Sequence, residues 1–116
     1  MGTPADTPSR VLADTLKRYW GYDTFRELQL EIMLSTLRCE DTLALMPTGG
    51  GKSICFQVPG LVLGGTTIVV TPLVSLMKDQ VDNLKARHIK AVYLHAGMTS
   101  REIRIAWEHI TNGNCK

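Results

Sequence analysis

Lys52 and Ser53 close a glycine-rich turn, Thr48-Gly49-Gly50-Gly51, that follows directly on the apolar run Leu43-Ala44-Leu45-Met46. The order apolar strand, glycine turn, Gly-Lys-Ser and apolar helix is the layout of a phosphate-binding loop. Consecutive glycines let the backbone curl until several N–H groups converge on one anion, and the following helix adds its positive N-terminal end. In such a loop Lys52 reaches the β- and γ-phosphates and the Ser53 hydroxyl holds Mg²⁺. The strict pattern opens on glycine, and this chain has Met46 there. The loop is expected to bind a nucleoside triphosphate; a glycine turn with an exposed lysine is the plainer alternative.

A second constellation lies upstream, in Trp20-Gly21-Tyr22-Asp23-Thr24-Phe25-Arg26-Glu27-Leu28-Gln29. Arg26 and Gln29 stand three apart and share one helix flank. A glutamine amide donates and accepts at once and so matches the N6/N7 edge of adenine, while an arginine plane or tyrosine ring can stack on the base. The alternative is that Tyr22 packs in the core and that Arg26 and Gln29 are solvated.

The elements that must position these groups follow from periodicity. The pattern predicts a helix from about Pro8 to Trp20, capped by Thr7, with Val11, Leu12, Leu16 and Tyr19 as its stripe and Gly21 as its stop. A capping box, Thr24 to Glu27, predicts a second helix with Phe25, Leu28, Ile32 and Met33 inward. A third helix opens at Lys52, and Pro59 is expected to break or kink it. Gly64-Gly65 precedes a β-branched run, Thr67 to Thr71, read as a second buried strand that Pro72 ends. Leu73, Leu76, Met77, Val81 and Leu84 give a helix to about Arg87, and Ala91 to Leu94 a third strand. A capping box, Thr99 to Glu102, opens a last helix with Ile103, Ala106, Trp107 and Ile110 inward. Strands alternating with helices imply an α/β fold, a parallel sheet with helices on both faces.

Composition narrows the class. At 116 residues the chain fits one domain at most, and 44% hydrophobic with 21% charged residues is ordinary for a soluble globular protein. A net charge of +2 permits a nucleic-acid partner without arguing for one. Cys39, Cys55 and Cys115 are odd in number and lack CxxC spacing, so reduced thiols are expected, in a cytosolic or nuclear compartment. His88, His95 and His109 lack the short paired spacing of a metal site. No signal or transit pattern opens the chain, and no run reaches membrane-spanning length, so no membrane partner is expected.

Three blocks resemble the RecQ family of superfamily 2 DNA helicases, and look closest to its bacterial members. They are Gly21-Tyr22 with Phe25-Arg26-x-x-Gln29, Met46 to Ser53, and Thr71-Pro72-Leu73-Val74-Ser75-Leu76-Met77-Lys78-Asp79-Gln80-Val81. They are similar in order and spacing to that family's motifs 0, I and Ia, and Met46 in place of glycine is the family's own form. Ser53 to Pro59 is similar too; Glu27-Leu28 departs from the Pro-Gly or Pro-Leu of many relatives. The resemblance implies that Tyr22, Arg26 and Gln29 recognise adenine, and that Thr48, Gly49, Gly50, Gly51, Lys52 and Ser53 hold ATP, with Lys52 catalytic and Ser53 on Mg²⁺. It implies DNA as partner, single-stranded or partly duplex, with Ser75 and Lys78 as candidate phosphate contacts; a helix cap and a solvated lysine are the plainer alternative. His95-Ala96-Gly97-Met98 sits where such helicases have a further strand-contacting loop.

The resemblance implies a P-loop, RecA-like domain over residues 11–116, after a polar tail at 1–10, serving recombination and repair by 3′ to 5′ unwinding in the cytoplasm, nucleoid-associated in a bacterium. ATP hydrolysis further needs an acidic residue on Mg²⁺, a water-positioning group and an arginine. The family carries these on an Asp-Glu-x-His motif and a second domain, yet these 116 residues hold no Asp-Glu pair. The expectation is therefore an incomplete sheet lacking its later strands, in an amino-terminal piece that neither unwinds DNA nor turns over ATP without the missing helicase domains. A non-catalytic adenine-nucleotide or DNA-binding module is the alternative, and a small-molecule P-loop kinase a third.

Overall fold

The computed structural model describes residues 6–26, 28–47, 51–113, 115 and 116. They form five helices: α1 (Asp6–Trp20), α2 (Gln29–Leu37), α3 (Lys52–Val62), α4 (Val74–Ala86) and α5 (Ser100–Thr111). The chain divides into two compact units, Met1–Gly64 and Gly65–Lys116.

In the first unit α1, α2 and α3 pack pairwise around Leu12, Leu16, Met33 and Val58. Leu12 and Leu16 lie four apart on one face of α1 and are fully buried, whereas Val11 at the edge of that stripe is exposed. Gly21 ends α1 as expected: it adopts φ 77°, and its N–H donates to the Lys17 carbonyl at 3.0 Å. The helix starts at Asp6, so Pro8 falls in the first turn, where no intrahelical bond needs its missing N–H. α3 runs through Pro59 to Val62, against the expected break. Pro59 is fully buried beside Val58 and Gly60, and that burial offsets the one hydrogen bond lost.

In the second unit Val81 of α4, Ala106 of α5 and Ile89 between them are buried. The Thr99 capping box is formed in full: the Glu102 N–H donates to Thr99 Oγ1 at 3.2 Å and the Thr99 N–H to Glu102 Oε1 at 3.0 Å. Ile103 and Ala106 turn inward, but Trp107 is 53% exposed. The chain end joins distant segments. The Lys116 N–H donates to the Lys90 carbonyl at 2.8 Å, and the Thr67 N–H to the Lys116 carbonyl at 2.6 Å.

The described residues do not form the parallel sheet expected from the sequence. Among the described residues there is no strand and no bridge, and Leu43 to Met46, Thr67 to Thr71 and Ala91 to Leu94 carry no regular element. Leu43 is 85% and Val70 92% exposed. Strand propensity measures how well a side chain fits a pleated, half-buried surface, and a strand exists only through its ladder to a neighbour. An apolar run with neither stays irregular.

Candidate functional site

The two sequence constellations meet in the first unit. Gln29, at the start of α2, is 2% exposed. Its Oε1 accepts from the Arg26 N–H at 2.7 Å, and its Nε2 donates to the Gly51 carbonyl at 3.2 Å. One amide thus joins the upstream block to the end of the glycine loop, 22 residues away in sequence. The Gln29 N–H also donates to the Arg26 carbonyl at 3.1 Å, closing a tight turn.

That turn corrects the predicted start of α2. The helix opens at Gln29, not at Thr24, with Leu28 as N-cap in the left-handed region at φ 69°. Such a conformation costs a residue with a side chain about 1–2 kcal/mol. It is held because Gln29 ties the turn down with both its backbone and its side chain. Glu27, the other half of the expected capping box, lies outside the described residues.

At the other end of the contact Gly51 is the N-cap of α3, at φ 76°, and no side chain caps the helix. The N–H groups of the first turn have no intrahelical acceptor, and among the described residues no side chain caps them. Together with the helix dipole they make a positive end suited to an anion. Lys52 opens this turn with an exposed side chain, and Ser53, half-buried, follows it. Thr48, Gly49 and Gly50 lie outside the described residues. Tyr22 is 50% exposed and Arg26 exposed, so neither belongs to the core, while Gln29 is not solvated.

One residue of this site had no assigned role in the sequence reading. Cys55, one turn into α3, is buried, and its Sγ lies 3.7 Å from the Gly51 carbonyl oxygen and 3.6 Å from Met46 Sδ, either of which can accept its one proton. Burial pushes the Cys55 thiol up, and a backbone hydrogen bond partly opposes this, so it is held as a protonated donor. The usable signal was spacing, since position 55 stands four residues after Gly51 and so lies above it on a helix. The half-buried Met46 stands against this thiol, at the position where the strict loop pattern has glycine.

In the second unit Ser75 and Lys78 are both exposed, three apart on α4, on one flank. Ser75 is not the cap of that helix; Leu73 is, with no side-chain cap bond. In the 95–98 loop the His95 ring stacks on Tyr93 with centroids 5.8 Å apart, and its Nδ1 accepts from the Gly97 N–H at 3.1 Å. Among the described residues no helix is long and apolar enough to cross a membrane.

Comparison with known proteins places the sequence in a helicase family. The DEAD/DEAH box helicase family model matches residues 26–116. The chain is 52% identical over 89 residues to the ATP-dependent DNA helicase RecQ of Bacillus subtilis, covering 76% of this chain and 15% of that protein. It is 48% identical over 91 residues to the RecQ helicase of Synechocystis, covering 78% and 19%. A RecQ-like DNA helicase of Caenorhabditis elegans is 41% identical over 106 residues, covering 91% and 11%. The chain thus spans less than a fifth of the length of these curated relatives.

Proposed function

This chain belongs to the DEAD/DEAH box helicase family, and we propose that it is the adenine-nucleotide grip of a RecQ-type, ATP-dependent DNA helicase. The observation that carries the reading is the Gln29 amide, which bonds both to the Arg26 turn and to the Gly51 carbonyl. A base-reading turn and a phosphate loop must be held in fixed relation if one ligand is to touch both. Here a buried side chain holds them.

In this reading the uncapped first turn of α3 and the Lys52 ammonium take the triphosphate. Tyr22 and Arg26, both exposed, lie against the base. Gln29 offers adenine what remains of its amide, one N–H and one lone pair, after its two internal bonds. Thr48, Gly49 and Gly50 complete the cradle. The donor set at the helix start fits Mg²⁺ in part. Ser53 supplies one hydroxyl, and phosphate oxygens and waters supply the rest, since Mg²⁺ commonly keeps several waters. Mg²⁺ would contribute charge neutralisation on the phosphates.

The whole protein's activity, in the same reading, is unwinding of DNA driven by ATP hydrolysis, with 3′ to 5′ polarity by family likeness. Ser75 and Lys78 serve it as contacts to the DNA backbone, positioning without reading sequence. Within these 116 residues a second, narrower reading is favoured, binding without turnover, because no Asp-Glu pair is present to hold the metal and orient water.

A steady-state ATPase assay on the 116-residue chain, paired with ATP and GTP binding by calorimetry, tests both. The expected result is ATP binding in preference to GTP, with no turnover. Turnover that needs Lys52 and rises with single-stranded DNA would overturn binding without hydrolysis. Equal affinity for ATP and GTP would overturn adenine recognition.

A further inference from the structure

The peptide between Gly51 and Lys52 is the last unit of the glycine loop and the first of α3. In a trans peptide the carbonyl of one residue and the N–H of the next point in opposite directions. The Gly51 carbonyl faces inward, toward Gln29 Nε2 at 3.2 Å and Cys55 Sγ at 3.7 Å. The Lys52 N–H is therefore turned away from these groups. Whatever fixes the carbonyl fixes the direction of that N–H.

We propose that Cys55 is a positioning residue of the nucleotide site: with Met46 behind it, its thiol seats the Gly51 carbonyl and so aims the Lys52 N–H at a bound phosphate. The proposal rests on the nucleotide-binding reading above and adds a residue to it. Three observations carry it together. Cys55 is buried at 5% exposure. Its sulfur meets both the Gly51 oxygen and Met46 Sδ, at 3.7 and 3.6 Å. Gly51, at φ 76°, is a glycine whose backbone takes this conformation freely, so the groups that meet its carbonyl set the direction of the peptide. Beyond the first helix bond, which the N-cap carbonyl accepts from the Cys55 N–H, the Gln29 amide and the Cys55 thiol are the side-chain groups that meet it. Met46 fills the space beside the thiol with a soft, adaptable side chain. A thiol is a weak donor, so its effect is one of direction more than of strength.

The test uses the full 116-residue chain with ¹⁵N labelling, as wild type, Cys55→Ala and Cys55→Ser. Serine keeps a donor four residues after the Gly51 carbonyl, a bond that hydroxyls make readily in helices. Cys55→Ala is expected to shift the Lys52 and Ser53 amide signals of the ligand-free chain while leaving Leu12 in place. It should also weaken ATP binding about 2- to 10-fold, the effect of one ordinary hydrogen bond, and leave AMP binding nearly unchanged. Cys55→Ser should return both the amide positions and the ATP affinity toward wild type.

Unshifted Lys52 and Ser53 amides in Cys55→Ala would overturn the proposal. So would equal weakening of ATP and AMP, or a failure of serine to rescue. A wild-type chain that binds neither nucleotide overturns the nucleotide reading instead, and the ligand-free amide shifts still decide whether Cys55 positions the peptide.

Discussion

Replacing Gly51 with alanine imposes two separate costs on the junction between the glycine loop and α3. Gly51 sits at φ 76°, in the left-handed region, where a side chain costs about 1–2 kcal/mol. A Cβ placed on this backbone would also stand 2.5 Å from Gln29 Nε2, which real contacts do not reach. The amide must therefore move, and it is 2% exposed with both ends bonded. Pulling a buried donor from its acceptor costs about 1–3 kcal/mol. The sum is about 2–5 kcal/mol, a large part of the 5–15 kcal/mol that holds a typical domain together. Urea unfolding followed by circular dichroism at 222 nm reads it as a lower midpoint at unchanged slope. The two costs can be separated by repeating Gly51→Ala in a Gln29→Ala background. There the clash is gone, and only the backbone cost of about 1–2 kcal/mol should remain. A Gly51→Ala chain within about 0.5 kcal/mol of wild type would refute the reasoning, since that is the range of an uninvolved surface change. Equal costs in the two backgrounds would refute the Gln29 contact specifically.

Two further outcomes are expected. Leu16→Ala, which empties a fully buried position between the helices of the first unit, should cost about 2–5 kcal/mol in the same urea experiment. Glu102 is held below its ordinary value of 4.5 by the Thr99 backbone N–H first and the Thr99 hydroxyl second. A carboxyl lowered in the folded state adds stability that is present above its unfolded pKa and lost as pH falls through the folded one. Protection of the α5 amides from hydrogen exchange should therefore weaken as pH drops below 4.5, and Glu102→Gln should remove that part of the dependence. An unchanged profile in Glu102→Gln would contradict it.

What could be read from the sequence was local. The Thr99 capping box needs only residues 99 and 102, and it forms as written. Gly21 stops α1 through its own backbone freedom, and Leu12 and Leu16 are core because they repeat at helical spacing. What failed was non-local. Thr67 to Thr71 has strand-like residues, but a strand is defined by its neighbour, and propensity cannot supply one. The start of α2 was misplaced because Gln29 turns its side chain back on Arg26 and forward to Gly51, and the second partner is far away in sequence. Trp107 sits at the edge of the Ile103, Ala106 and Ile110 stripe, where periodicity does not distinguish edge from interior. For the candidate site the residue types and spacing pointed to its two halves. The contact that joins its two halves, and the part of Cys55 in it, needed the fold.

The central claim, that Lys52 and the start of α3 form an adenine-nucleotide site, is tested most directly by calorimetric titration of ATP with Mg²⁺ into wild type and Lys52→Ala. Lys52 is exposed at the first position of α3, so its removal should leave the fold intact by circular dichroism. Loss of a charge-assisted contact to phosphate is expected to weaken ATP binding at least about 10-fold, at 1.5–3 kcal/mol for a bond to a charged group. A folded Lys52→Ala chain that binds ATP as tightly as wild type would contradict the account.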